Sequence, residues 1–289
     1  MKLILVPLFA AMVAVSVAVT SNAQSIVGGW FVSRAGQARS DAVITFLSDG
    51  SYYMAEDGDS VADPSGHDGM ERGSYSWDAA TGAFVATAMV DTSGEWGLSD
   101  LSGGTIINIL GNTLTVNNQL AFSRVVHATS SIVGSWFAKN LGQARSSAVI
   151  TFLSDGSYFM AEDGDSVADP SGHDGMERGS YSWDAATGAF SATAQVDTSG
   201  EWGISGFTGI VSVAGNILTA DGQLSFTRVA APPTIIMDRS SPGVIKISYV
   251  GILQQTDDCI HWADVSPQPQ SPWSVPLDGV KRFFRARAY

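Results

Sequence analysis

The sequence lacks several features that would narrow its function, beginning with disulfides, because it has one cysteine among 289 residues. With Cys259 alone no intramolecular disulfide can form, so stability must come from hydrophobic burial, and we expect Cys259 to be a small buried side chain. Basic residues are also scarce, with 15 Lys and Arg against 28 Asp and Glu and a net charge of −13. Without a basic stripe to release counterions from phosphates, the chain is not expected to bind nucleic acid.

Long apolar runs are confined to the N-terminus. Residues 1–23 combine Lys2, an apolar stretch at 3–19 and a small-x-small end at 21–23, which predicts a cleaved signal peptide. No later run approaches the roughly 20 apolar residues that a membrane span requires, so stable membrane insertion is not expected. We therefore expect the mature chain to be secreted or periplasmic.

What the sequence does contain is a long internal duplication. Residues 25–96 recur at 131–202, and 63 of these 72 aligned positions are identical. A repeat of this length is a whole domain rather than one unit of a solenoid. We predict two tandem domains at 25–125 and 131–229, joined by a short linker and followed by a small C-terminal β-module at 235–289.

Short apolar runs alternate with turn signals throughout each repeat. Between the runs 42–47 and 51–55 stands Ser-Asp-Gly, which is typical of a hairpin because Asp-Gly favours positive φ angles. The pattern indicates about eight strands per repeat and no helix. The predicted fold class is therefore all-β.

Two short motifs mark the ends of each repeat. Gly-x-Trp opens the repeats at 28–30 and 134–136, and Phe-x-Arg closes them at 122–124 and 226–228. Closing an eight-stranded barrel places its first and last strands side by side, where an arginine can lie over an indole ring. The expected structural pairs are Trp30 with Arg124 and Trp136 with Arg228.

This pairing resembles the calycins, the superfamily of lipocalins, fatty-acid-binding proteins and avidins. The resemblance implies two tandem eight-stranded antiparallel up-and-down barrels; an open β-sandwich is the alternative. The C-terminal segment, with Leu253-Gln254, Trp262 and Phe283-Phe284, resembles a small β-module of secreted bacterial proteins. That second resemblance implies an immunoglobulin- or fibronectin-like topology and no activity.

The acidic loop 56–71, repeated unchanged at 162–177, is the candidate metal site. Calcium takes about six to eight oxygen ligands, which a loop that alternates Asp with Gly can supply. The spacing fits neither the EF-hand nor the nonapeptide calcium repeat, so a solvated loop is the favoured interpretation. One histidine per repeat is too few for zinc. Calcium is thus the candidate cofactor, and its candidate ligands are Asp57, Asp59, Asp63, Asp163, Asp165 and Asp169.

Aromatic residues offer a second candidate site. Tyr75 and Trp77 lie two positions apart and therefore share one face of a strand, and Trp96 follows a tight turn. Exposed rings would form a platform for sugars, although core packing is the favoured interpretation. The candidate binding residues are Tyr75, Trp77, Trp96, Tyr181, Trp183 and Trp202.

No residue constellation argues for catalysis. Ser65, His67 and Asp68 are neighbours in sequence, which rarely gives the geometry of a catalytic triad. The sequence favours an exported, non-catalytic binding or adhesion protein that presents one site twice, so that weak contacts gain avidity. A carrier of a small apolar ligand inside the barrels is the alternative, and a secreted hydrolase is a weaker one. The expected partner is a small molecule, a glycan or a cell-surface component.

Overall fold

The chain forms strands in every regular element that can be described. The computed structural model describes residues 25–33, 41–58, 68–93, 97–99, 101, 103–126, 130–139, 147–164, 174–199, 203–230, 234–238, 243–269, 273–276 and 282–287. Within these ranges no helix is long and apolar enough to cross a membrane. The prediction of an all-β chain is confirmed.

Repeat 1 is one curled antiparallel sheet. Its strands are β1 (Gly28–Ser33), β2 (Asp41–Phe46), β3 (Ser51–Asp57), β4 (Gly69–Trp77), β5 (Phe84–Asp91), β6 (Ile107–Leu110), β7 (Thr113–Val116) and β8 (Leu120–Arg124). They follow the order β5-β4-β3-β2-β1-β8-β7-β6. The outer strands approach each other at an Ala83–Ile106 bridge, where the Phe84 amide donates to the Thr105 carbonyl at 3.0 Å. The predicted count of about eight strands is confirmed.

Repeat 2 closes fully. Its strands are β9 (Gly134–Lys139), β10 (Ser147–Phe152), β11 (Ser157–Asp163), β12 (Gly175–Trp183), β13 (Ala189–Asp197), β14 (Thr208–Ala214), β15 (Ile217–Ala220) and β16 (Leu224–Arg228). They form a closed eight-stranded barrel in which β16 returns to β9. The extra closure comes from three β13–β14 residue pairs, from Ala189–Ile210 to Ser191–Thr208.

The barrel interiors are packed with large side chains. In repeat 1 the core includes Trp30, Phe46, Tyr52 and Phe122, each at most 1 % exposed. Repeat 2 has the same arrangement around Trp136. These side chains alternate along their strands with residues that face outward, as the two-residue period of a strand requires.

An arginine clamps the first strand of each repeat to the last. The Arg124 guanidinium lies 3.9 Å from the centre of the Trp30 ring and donates to the carbonyls of Val27 and Ser25 at 2.9 and 2.7 Å. In repeat 2, Arg228 lies 3.9 Å from Trp136. The pairing matters for closure, because only two residue pairs join β1 to β8.

The outward side of β1–β4 packs against the outward side of β9–β12. We call these two surfaces the inter-repeat faces. Their shared apolar core comprises Val43, Leu47, Tyr53, Ala55 and Met70 with Val149, Leu153, Phe159, Ala161 and Met176. Each residue of the first set is matched by the one 106 positions later. Since β2 and β3 are covered on both sides, they read as continuous buried runs rather than alternating ones.

Contacts between the faces occur in exchanged pairs, which defines a pseudo-twofold axis. The rings of Phe31 and Phe159 lie 6.0 Å apart, and their counterparts Phe137 and Tyr53 lie 5.9 Å apart. At the axis, Thr45 meets its own counterpart, with 3.5 Å between the hydroxyl oxygens of Thr45 and Thr151. The two repeats are therefore joined as the subunits of a symmetric dimer are joined.

Reciprocal ion pairs border the apolar part of the interface. Arg72 pairs with Asp163, and its counterpart Arg178 pairs with Asp57. Arg178 also donates to Asp41 at 2.8 Å. All four carboxylate and guanidinium groups of the reciprocal pairs are largely buried, so loss of one partner would leave a charge without compensation.

The C-terminal module contains two small sheets around a compact core. Its strands are β17 (Thr234–Asp238), β18 (Val244–Val250), β19 (Ile252–Thr256), β20 (Ala263–Asp264), β21 (Trp273–Pro276) and β22 (Phe283–Arg287). The sheets have the orders β17-β18-β21 and β20-β19-β22 and bury Ile247, Leu253 and Val275. Cys259 is exposed, so the expectation of a buried thiol is wrong. It lies with a φ of 63° in the turn after β19, which keeps its side chain outside that core.

We predict that Arg124→Lys lowers the free energy of unfolding by about 1–3 kcal/mol, because an ammonium group cannot hold two carbonyls and cover the indole together. Urea unfolding followed by tryptophan fluorescence measures the loss. The matched control is Arg285→Lys, since Arg285 is exposed and lies 4.3 Å from Trp262. Equal losses in the two variants would show that the clamp has no special role.

Candidate functional site

The longer connections of each repeat leave the sheet at one end, after its first, third and fifth strands. Alternate connections of an up-and-down barrel emerge at the same end, so β1–β2, β3–β4 and β5–β6 are joined on one side. We call this the loop end, and the side with the β2–β3, β4–β5 and β6–β7 hairpins the turn end. Two acidic side chains point into the interior near the loop end, Glu56 and Glu71, and they are 1 % and 0 % exposed.

Glu71 fastens the β5–β6 connection to the barrel. Its carboxylate accepts a hydrogen bond from the Tyr52 hydroxyl on the neighbouring strand and another from the Ser99 amide at 2.9 Å. In repeat 2 the Glu177 carboxylate accepts from the amides of Ile204 and Ser205 at 2.7 and 2.8 Å. Charge-assisted bonds of this kind are stronger than neutral ones, so the carboxylate fixes the position of the loop.

A glycine makes this close approach possible. A Cβ atom at Gly97 would lie 1.6 Å from Oε2 of Glu71, and one at Gly203 would lie 2.7 Å from the same atom of Glu177. No other residue type lets the backbone pass so near the carboxylate. The glycines that follow Trp96 and Trp202 in the sequence are therefore part of the anchor.

Burial controls the protonation of these groups. Desolvation raises the pKa of the Glu177 carboxyl above its ordinary value, although hydrogen bonds from the Ser205 side chain and from the Ile204 and Ser205 amides oppose the rise. Desolvation also raises the pKa of Tyr158, and the nearby negative charge of Glu177 adds to this effect. The tyrosine therefore stays protonated and suited to face the carboxylate.

Glu56 lies diagonally across from Glu71 on the inward side of the sheet. It stands opposite Gly69, whereas Met54 stands opposite Glu71, so the two glutamates are separated by one diagonal step. Such neighbours have Cβ atoms roughly 7 Å apart or less. Each barrel thus holds two buried glutamates at its loop end; the second pair is Glu162 and Glu177.

The candidate calcium ligands are placed in different surroundings. Asp57 and Asp163 belong to the inter-repeat face, where they pair with Arg178 and Arg72. Asp59, Asp63, Asp165 and Asp169 lie outside the described residues. Within the described ranges, no three His, Cys, Asp or Glu side chains are grouped to hold a metal ion. Strands β3 and β4 extend further than expected, so Glu56, Asp57 and Glu71 are buried strand residues rather than parts of a solvated loop.

The candidate aromatic residues that can be placed are partly buried near the turn end. The Tyr75 ring packs 4.8 Å from that of Phe46, and its hydroxyl donates to the Leu47 carbonyl at 2.8 Å. The Trp77 indole donates to the Ile107 carbonyl at 3.0 Å. Tyr181 and Trp183 make the equivalent contacts in repeat 2, and Trp96 and Trp202 lie outside the described residues. Tyr75 and Trp77 therefore contribute to the core, at the opposite end from the loops.

The burial of the two inward glutamates was not predicted from the sequence. The two-residue period of a strand could have identified Glu56, because Tyr52, Met54 and Glu56 follow one another at every second position and all point inward. An acidic residue in such a row marks either the end of the strand or a buried carboxylate. No family model matches the chain, and neither a curated protein nor a solved structure is significantly similar to it.

We predict that Gly97→Ala displaces the β5–β6 connection and lowers the free energy of unfolding by about 1–3 kcal/mol, because the methyl group occupies the position of the Glu71 carboxylate. Chemical denaturation measures the loss. Gly103→Ala is the matched control, since a Cβ there meets no atom within 4 Å. A loss as large in the control would refute the anchor.

We predict that the free energy of unfolding depends on pH because of the Glu177 carboxyl group. Because its pKa is raised in the folded state above 4.5, the folded chain binds the proton more tightly than the unfolded chain. The wild type should therefore lose stability relative to Glu177→Gln as pH rises above 4.5, until the folded carboxyl is ionised. Denaturation at a series of pH values measures the difference.

Asp184→Asn provides a control of opposite sign. Hydrogen bonds from Thr187 and Ala186 lower the pKa of Asp184 below its ordinary 3.8. That carboxylate should stabilise the chain above pH 3.8 and lose its contribution as pH falls further. A flat difference between wild type and Glu177→Gln would contradict the prediction for Glu177.

Proposed function

We propose that the chain is an exported, non-catalytic binding protein that presents the loop ends of two calycin-type barrels to a glycan or another cell-surface component. The observation that carries the proposal is the symmetric inter-repeat interface, which holds the loop ends of the two repeats in a fixed arrangement. Two fixed copies of a weak site bind a repetitive surface with a high effective concentration. In this proposal the small C-terminal module is an accessory domain of immunoglobulin-like type, and the chain acts outside the cytoplasm.

The packed barrel interiors favour surface binding over the transport of an apolar ligand. A carrier needs a continuous internal cavity of a few hundred Å³. The core positions near Trp30 and Trp136 are instead filled by aromatic and aliphatic side chains. A ligand would therefore meet the barrel at its rim rather than enter it.

The buried glutamates favour a structural role over catalysis. Glu71 and Glu177 have no exposed surface and bind backbone amides of the loop that they hold. A catalytic carboxylate must reach the substrate, and these would have to release the loop first. Their role in this proposal is to give the loop end a defined shape.

Electrostatics indicates the kind of partner. Each repeat has four basic residues, and two of these, Arg72 and Arg124 in repeat 1, are engaged at the inter-repeat face and in the clamp. Arg178 and Arg228 are engaged in the same way in repeat 2. Burial also withdraws six acids, and the surface that remains still carries more acidic than basic groups, which favours a neutral or cationic partner over an anionic one.

We predict that the mature chain binds immobilised neutral polysaccharides and that both loop ends are required. Replacing residues 59–67 by a Gly-Ser linker of equal length in one repeat should weaken apparent affinity for cellulose, chitin or xylan by about 100-fold, through lost avidity. Biolayer interferometry, with calcium or with a chelator, measures the change.

The control is Leu110→Ser, because Leu110 is 82 % exposed at the turn end and far from the loops. That variant should bind as the wild type does. Either of two results would overturn the proposal: no binding to any of these polysaccharides, or undiminished affinity when one loop is replaced.

A further inference from the structure

The two copies differ at few positions, and among the side chains that the structure describes three of these positions lie on the inter-repeat faces. Nine of the 72 aligned positions differ between the repeats. Gly29, Asp41 and Tyr53 on the first face, which we call the repeat-1 set, correspond to Ser135, Ser147 and Phe159 on the second, the repeat-2 set. Each difference changes a group that contacts the opposite repeat, which means that the faces are no longer interchangeable.

The Gly29–Ser135 difference lies beside the pseudo-twofold axis. A Cβ at Gly29 would lie 2.0 Å from Oγ of Ser135 and 3.2 Å from its Cβ. The Ser135 hydroxyl is held there by Thr151 and Thr45, at 2.7 and 3.3 Å between oxygens. The space therefore accepts one hydroxymethyl group and not two.

The other two differences are matched across the interface. The Tyr53 hydroxyl lies 2.7 Å from that of Ser147. Arg178 donates to Asp41 at 2.8 Å in addition to pairing with Asp57. Each polar group of the repeat-1 set therefore finds its partner in repeat 2.

The pseudo-twofold symmetry gives the contacts that each face would make with a copy of itself. Two repeat-1 sets place a glycine opposite a glycine and a tyrosine hydroxyl beside an aspartate, within reach of the arginine. Two repeat-2 sets place two serines in the space for one, and leave Arg178 without the acid that Asp41 supplies. The first combination has no clash at the axis and gains donors for its acids, whereas the second has a clash at the axis and loses two polar contacts.

We propose that the inter-repeat face of repeat 1 fits both repeat 2 and a second copy of itself, whereas the face of repeat 2 fits repeat 1 only. The partner of the repeat-1 face is thus defined chemically. It is a surface of this same fold that places a glycine or a single serine opposite Gly29 and an acceptor opposite the Tyr53 hydroxyl. The asymmetry makes self-pairing through repeat 2 unfavourable, which keeps the two repeats of one chain matched to each other.

The full chain carries the test. One variant, Ser135→Gly with Ser147→Asp and Phe159→Tyr, gives both repeats the repeat-1 set. A second, Gly29→Ser with Asp41→Ser and Tyr53→Phe, gives both the repeat-2 set. A third combines all six substitutions and so exchanges the sets. Thermal unfolding gives the midpoint temperature, and small-angle X-ray scattering tests whether the repeats remain packed.

The first and third variants should stay packed and melt within about 2 °C of the wild type, while the second melts at least about 4 °C lower and expands. The third variant is the folding control, because it contains all the substitutions of the second in repeat 1. If the second variant fails to fold and the third folds normally, the cause is the pairing of two repeat-2 sets and not the substitutions in repeat 1 themselves. Three results would overturn the proposal. The second variant could melt at the same temperature as the wild type, the first variant could lose as much melting temperature as the second, or the third variant could fail to regain the melting temperature that the second loses.

Discussion

The contact between an arginine on the last strand and a tryptophan on the first is the interaction on which the rest of the molecule depends. Only two residue pairs join β1 to β8, so the hydrogen-bond ladder alone holds this seam weakly. Arg124 adds a cation–π contact and two bonds to the carbonyls that precede β1. With the seam held, the sheet keeps the curl that separates an aromatic interior from an outward surface.

That outward surface explains why the two repeats pack against each other. A barrel normally exposes the outer side of its strands to water, yet Val43, Tyr53 and Met70 face outward and are buried. They are covered by the equivalent surface of the second repeat, which is related to the first by the pseudo-twofold axis. Neither repeat could expose this area of apolar side chains without risk of association, so the duplication supplies the partner within the chain.

The strands and the clamp follow from the sequence, whereas the buried polar contacts do not. Gly-x-Trp and Phe-x-Arg identify the clamp because barrel closure brings the ends of a repeat together. Asp57 could not be placed in this way, since its partner Arg178 is 121 positions away and an identical arginine, Arg72, stands closer in sequence. Glu71 looked like part of a polar loop because its partners, Tyr52 and the Ser99 amide, come together only in the folded barrel.

Thr45 and Thr151 meet at the axis, and their meeting has a consequence for how the chain can evolve. In a dimer of identical subunits, a substitution near such an axis occurs in both subunits, and the two new side chains face each other. A side chain for which there is room only once therefore cannot be accommodated. Covalent fusion removes that restriction, because either copy can change alone. Ser135 fills a space that a symmetric assembly would have had to leave to glycine. Fusion thus opens substitutions that symmetry forbids, because only one of the two copies has to accommodate them.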